Sequence, residues 1–301
     1  MHDQASTLRS LATANNNTIM ETQTLINPKA PQKSFNQPRS IAITGGKGGV
    51  GKSNLAVNLA LELGALGDRT SLLDADFGLA NIDLLCGVSP RFHLGHVISS
   101  LKDFEDIRIN LTDKVSLIPG GSGVEELTKI SVTTHPHVFE KLRIMESNVD
   151  FMLIDTAAGI AESVISVLVS ASEVIIIATP EPTSIVDAYA TIKIILRYAP
   201  HKPISIVVNN VVGLGDAEQV YQSLNSAVKN FLGHRVEFLG MIPHDSHIPE
   251  AVREQVPLVQ YAPDAPAARA IRLIAKQLHT HKLAATGLKE IQSFWNMLAQ
   301  D

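Results

Sequence analysis

Seven short apolar runs recur along the chain, at residues 40–44, 70–73, 114–118, 151–154, 174–179, 204–208 and 236–242. Their length and their content of Ile, Val and Leu predict strands. The run Val174-Ile175-Ile176-Ile177-Ala178 shows no alternation of apolar and polar positions, the pattern of a strand buried on both faces. Helical periodicity fills most of the intervals, at 54–66, 161–172, 184–198 and 217–232, and a further helical pattern closes the core at 263–282. Strands alternating with helices predict an α/β fold: a doubly wound, mostly parallel sheet with helices on both faces. No internal repeat is visible.

The two ends read differently from this core. Residues 1–12 predict a short helix, with Asp3 as its cap and Ala5, Leu8, Leu11 and Ala12 at helical spacing. From 13 to 38 the chain carries Asn15-Asn16-Asn17 and three prolines with few large apolar residues, the composition of a flexible linker. After Gly287, Leu288, Ile291, Trp295 and Leu298 share one helical face, flanked by Phe294 and Met297, while Lys289, Glu290, Gln292 and Asn296 fall opposite. The expected organisation is therefore 1–12 helix, 13–38 linker, 39–285 core domain and 286–301 amphipathic helix.

Composition narrows the function classes. The net charge of -5 and pI near 6.1 supply no global basic field, so no direct hold on nucleic acid is expected. A single cysteine, Cys86, rules out an intramolecular disulfide and argues against a metal cluster within one chain. The sequence has neither a long uninterrupted apolar stretch nor a basic-then-apolar N-terminus. A soluble cytoplasmic protein is the expectation.

The chemistry gathers at the ends of the predicted strands. Gly46-Lys47-Gly48-Gly49-Val50-Gly51-Lys52-Ser53-Asn54 follows the first strand and opens the first helix. This is the spacing of a P-loop: glycines let backbone N–H groups turn toward phosphates, Lys52 reaches the β- and γ-phosphates, and the Ser53 hydroxyl binds Mg²⁺. The second strand ends in Asp74-Ala75-Asp76, and the strand at 151–154 ends in Asp155-Thr156-Ala157-Ala158-Gly159. Carboxylates at strand C-termini sit where an open α/β sheet binds its ligand. ATP or ADP with Mg²⁺ is the expected ligand set.

With Lys47 inside it, the loop resembles the deviant Walker A motif of the MinD/ParA ATPase family, and the resemblance covers about residues 39–285. It implies an ATPase that forms a homodimer around ATP, with Lys47 of each subunit stabilising transition-state charge on the partner's nucleotide. It further implies that Asp76 polarises the attacking water, that Asp74 lies near the Mg²⁺ shell, and that Asp155 is a Walker B carboxylate holding Mg²⁺ with Ser53. Ala157 stands where the family usually has proline. The resemblance places Asn209 of Val207-Val208-Asn209-Asn210 and Pro243 of Ile242-Pro243-His244-Asp245 beside adenine. Asn210 replaces the family's arginine, and His244 reads as an exposed residue.

Within the family, Phe77-Gly78-Leu79-Ala80-Asn81 resembles the MinD branch rather than the Asp-Pro-Gln of ParA-type partition proteins. Iron–sulfur members need cysteine ligands that one cysteine does not supply. The N-terminal Asp3-Gln4-Ala5-Ser6-Thr7-Leu8-Arg9 resembles the activating helix of the flagellar FlhG (FleN) branch. That resemblance implies docking on the GTPase FlhF through Gln4, Leu8 and Arg9, and stimulation of GTP hydrolysis. It also implies control of flagellar number and placement, with a flagellar transcription activator and C-ring proteins as further partners. Leu288, Ile291, Phe294, Trp295 and Leu298 resemble the family's membrane-targeting helix, which implies reversible attachment to the inner membrane when two helices act together in an ATP dimer. A division-site MinD, a DNA-associated partition ATPase and a nucleotide-binding module without turnover remain the alternatives.

Overall fold

A computed structural model describes residues 39–121 and 149–280, which all belong to the unit Gln37–Asp301. The expected helix at 1–12, the linker at 13–38 and the amphipathic helix at 286–301 lie outside the described residues.

Eight strands form one sheet: β1 Arg39–Thr44, β2 Thr70–Ala75, β3 Ile109–Asn110, β4 Val115–Ile118, β5 Phe151–Thr156, β6 Glu173–Ala178, β7 Ile204–Val211 and β8 Glu237–Pro243. Their order is β3-β4-β2-β5-β1-β6-β7-β8. Every pairing is parallel except that of the two-residue β3 with β4. Strands β2, β4 and β5 are buried along their whole length, including the polar Thr70, Ser71, Asp74, Ser116, Asp155 and Thr156.

The longer helices are α1 Lys52–Ala65, α5 Glu162–Ser170, α6 Pro182–Tyr198, α7 Leu214–Leu232 and α10 Pro266–His279. Short helices are α2 Ile82–Leu85, α3 Leu94–Ile98, α4 Phe104–Ile107, α8 His247–Glu254 and α9 Leu258–Tyr261. Helices α1, α9 and α10 pack together on one face of the sheet, and α5, α6 and α7 pack in sequence on the other. No described helix is long and apolar enough to cross a membrane.

This layering creates a cleft. The chain leaves β1 for α1 on one face, whereas it leaves the flanking strands β5 and β6 for α5 and α6 on the other. Connections that diverge from neighbouring parallel strands open a crevice at the strand C-termini, the position where such sheets take ligands. At the opposite edge, Arg39 clasps Glu173 through Nε and Nη2 at 2.7 and 2.8 Å and donates from Nη1 to Leu278 O at 2.7 Å, joining β1, β6 and the end of α10.

Candidate nucleotide site

The loop from Gly46 to Ser53 joins β1 to α1 at the mouth of that crevice. Two of its glycines are required by space as well as by spacing. A Cβ on Gly46 would fall 2.3 Å from the Asp187 carbonyl carbon of α6. Gly51 has a φ of 98°, and a Cβ there would lie 2.4 Å from Asn209 Nδ2. Helix α1 begins with no side-chain cap and no acidic residue in its first turn, so its leading N–H groups and the positive end of its dipole face the loop. Lys52, its first residue, is buried.

The register of the sheet brings the acidic residues together. Asp74 of β2 and Asp155 of β5 are direct partners across the parallel ladder. Asp74 accepts from the backbone N–H groups of Asp76, Asn81 and Ile82 at 3.1, 3.1 and 3.2 Å, which folds the segment after β2 back over the strand end. Burial nevertheless pushes its carboxyl up to about 6, only partly offset by those N–H groups. Asp76 is half-buried, and its Oδ1 accepts from Leu79 N at 3.2 Å.

Asp155 is fully buried, and neither carboxylate oxygen has a hydrogen-bond partner. Burial pushes it up to about 7; the Ser53 hydroxyl, close but outside hydrogen-bond geometry, and the Lys52 ammonium offset part of the rise, while Asp74 adds to it. The hydroxyls of Thr44 and Thr179, at the ends of β1 and β6, are likewise buried without a partner. Unpaired buried oxygens of this kind mark a place where a ligand, an ion or water completes the bonding. An all-oxygen set of Ser53, Asp155 and Asp74 suits Mg²⁺, which uses few protein ligands beside phosphate oxygens and needs no cage of carboxylates. Among the described residues no grouping of three or more His, Cys, Asp and Glu side chains could hold a metal ion by itself.

Lys47 projects from the loop and pairs with Glu181 at 2.6 Å, with both side chains about half exposed. The hydrogen bond and charge of Glu181 raise the lysine pKa above its ordinary value. Glu181 was not singled out from the sequence, although it follows a buried strand at the same edge as Asp74 and Asp155, and that position was the available signal.

Beside the loop opens a cleft of about 340 Å³, lined by the loop backbone, Asn54, Asn209, Asn210, Pro243 and His244 among others. Asn209 donates from Nδ2 to Val50 O at 2.8 Å, tying β7 to the loop. Asn58, buried in α1, donates to Asn54 O at 2.7 Å and accepts from Val259 N at 2.9 Å, which anchors α9 beneath the cleft. The sequence-predicted core residues from Gly46 to Asn54, with Asp74, Asp76, Asp155, Asn209 and Pro243, thus converge on one edge of the sheet. Gln4, Leu8, Arg9, Leu288, Ile291, Phe294, Trp295 and Leu298 lie outside the described residues.

Comparison with known proteins agrees with this geometry. A ParA family model, described as NUBPL iron-transfer P-loop NTPase, matches residues 36–279. Iron transfer is the family description's property and is not shown for this chain. Cys86 is its one cysteine, half-buried, and burial pushes its thiol up to about 12. The antiactivator FleN of Pseudomonas aeruginosa is 34% identical over 89% of this chain and 95% of its own length. The flagellum site-determining protein YlxH of Helicobacter pylori is 34% identical over 83% of this chain and 85% of its own. Among solved structures, the septum site-determining protein MinD of Pyrococcus horikoshii, complexed with Mg-ADP, superposes with a TM-score of 0.67 at 27% identity, covering 80% of this chain and 96% of that one. On its loop, its sheet and these matches, the chain belongs to the ParA/MinD family of P-loop NTPases, close to FleN and YlxH.

Proposed function

We propose that this chain is an ATP-dependent dimerising ATPase switch that regulates flagellar number and placement. The observation that carries the switch is Lys47. A P-loop lysine already stands at Lys52, buried at the helix start, whereas Lys47 is exposed on the rim and held only through an exposed ion pair with Glu181. A second lysine placed so is available to a nucleotide in another subunit.

In this reading the loop N–H groups and Lys52 hold the phosphates, while the side chains lining the cleft at Asn54, Asn209 and Pro243 receive the adenosine. Asp76 orients the attacking water, and Lys47 of each subunit neutralises charge developing on the partner's γ-phosphate. Ser53 and Asp155, with Asp74 through water, would hold Mg²⁺, which supplies charge neutralisation and alignment of the phosphate oxygens. The unpaired oxygens of Asp155 support that assignment. Membrane association of the dimer through residues 286–301 and stimulation of an FlhF-type GTPase through residues 1–12 belong to the same proposal. They are supported by the sequence resemblance and by the likeness to FleN and YlxH.

Sedimentation with ATP and Mg²⁺ tests the switch. Asp76→Ala should accumulate a dimer and Lys47→Ala should remain monomeric; if both stay monomeric, the shared-site reading fails. A peptide of residues 1–20 added to FlhF should accelerate GTP hydrolysis, and Gln4→Ala should abolish the effect. The solved-structure likeness to MinD, including a MinC:MinD complex from Aquifex aeolicus at a TM-score of 0.68 and 25% identity, favours division-site selection as the second reading. Deletion of the gene separates the two: altered flagellar number supports the first, minicells with normal flagella the second.

A further inference from the structure

Helix α3 is closed at its start by two histidines. Gly95 N donates to His93 Nδ1 at 3.2 Å, and His93 N donates to His96 Nδ1 at 3.3 Å. This reciprocal arrangement is a capping box, which ordinarily uses Ser or Thr at the cap and Glu or Gln three residues on. Its place ties it to the ligand edge of the sheet. Leu94 N, the next donor of the turn, reaches Pro119 O just beyond β4 at 2.9 Å. A Cβ on Gly121 would lie 2.5 Å from His93 Nδ1, and one on Gly120 would lie 2.2 Å from the carbonyl oxygen of Asp74. The β4 exit is therefore packed on the His93 ring at one residue and on the end of β2 at its neighbour.

A backbone N–H only donates, so both Nδ1 atoms present lone pairs and each neutral ring carries its hydrogen on Nε2. A protonated ring has hydrogen on both nitrogens and accepts from neither backbone group. The two rings stand 4.2 Å apart between centroids, so a charge on one opposes a charge on the other. The nearby cations act in the same direction: Phe92 meets His96 edge-on and carries the Lys102 ammonium at 4.4 Å and the Arg91 guanidinium at 5.4 Å from its centroid. On α4, which packs against α3, the acids are engaged locally. Glu105 pairs with Arg108, while Asp103 and Asp106 form the capping box of α4 itself. Burial first and His96 second hold His93 below its ordinary value.

We infer that the His93–His96 box is a proton-operated latch, closed while both rings are neutral and opened when either takes a proton, which frees α3 from the β4 exit. A histidine held below its ordinary value stabilises the closed form fully above about pH 6.5 and loses that contribution as pH falls toward its folded value. The buried acids at the ligand edge respond with the opposite sign. Asp74, pushed up to about 6, and Asp155, pushed up to about 7, favour the fold more as they gain protons. Opening of the box on acidification is thus separable from their titration.

Hydrogen exchange of the His93 and Gly95 amides in the full chain, corrected for the intrinsic pH dependence of exchange, tests the latch. Their protection should fall roughly three- to tenfold between pH 7.5 and 5.5. His93→Asn combined with His96→Gln supplies acceptors that do not titrate in this range, so protection in that variant should stay level across it. Nitrogen-15 spectra of the imidazoles read the wild type directly, whether or not the variant folds. At pH 8 they should show both rings with hydrogen on Nε2. Hydrogen on Nδ1 of either ring, or wild-type protection that stays level on acidification, overturns the inference. An equal fall in the double variant also overturns it, because the effect then belongs to another group.

Discussion

At the scale of single residues, the site is a set of groups whose bonding the protein leaves incomplete. Asp155 ends a fully buried strand with two unpaired oxygens, and its raised carboxyl pKa expresses the cost of keeping a charge there. Replacing it with the neutral isostere should therefore stabilise the nucleotide-free protein while weakening the site. We expect Asp155→Asn to raise the unfolding free energy without Mg²⁺ or nucleotide by about 1–2 kcal/mol, measured by urea denaturation at pH 8. The same variant should lose the thermal stabilisation that ATP and Mg²⁺ confer on the wild type. A residue that merely packed would instead lose stability under both conditions. Asp74, Asp76 and Asp155 were legible in the sequence because each ends an apolar run on the ligand edge. The extra residue at Asn210, between Asn209 opposite Ile242 and Val211 opposite Pro243, was not, since it is a property of the register between β7 and β8, and neither strand alone encodes it.

At the scale of elements, the cleft wall depends on a carboxylate that serves two helices. Asp245, buried just after β8, accepts from His247 N at the start of α8 and from Ala267 N at the start of α10, both at 3.0 Å. Burial alone would raise its pKa, but those N–H groups and the His247 ring outweigh burial and hold the carboxyl below its ordinary value. A depressed acid stabilises the fold fully above its unfolded value of about 3.9 and loses that contribution as pH falls through the folded value. Asp245→Asn should cost about 1–2 kcal/mol at pH 7, and the gap from wild type should close below about pH 4 in denaturation curves. A gap that stayed constant with pH would show that shape, rather than charge, is what matters there. The seven apolar runs correspond to β1, β2 and β4–β8 with ends displaced by up to three residues, the largest shift at the end of β7. Strand β3 and the one-turn helices α2, α3, α4 and α9 were missed because so few residues contain no measurable period. The sequence placed residues 242–245 beside a base, yet the bonding of Asp245 to two helices appears only when α8 and α10 are packed against β8.

At the scale of the molecule, the question is what separates one subunit from two. The ion pair of Lys47 with Glu181 satisfies within one chain the lysine that the proposed dimer uses across its interface. In the proposed dimer Lys47 would leave Glu181 for the partner's phosphate, so association would cost that pair. Both side chains are about half exposed, so the pair contributes little to stability but still weighs against association. Glu181→Gln should therefore lower the ATP-dependent dimer dissociation constant a few-fold without altering monomer stability. Sedimentation across a protein concentration series, with ATP, Mg²⁺ and the Asp76→Ala background to prevent turnover, measures that shift. The effect should shrink at high salt, where the wild-type pair is already screened. Lys47→Ala in the same background should remain monomeric whether or not Glu181 is changed, because the group released by Glu181→Gln is then missing. If Glu181→Gln instead weakened the dimer, the carboxylate would be acting within the assembled interface, and the pair would be an assembly contact and not a restraint on the free subunit.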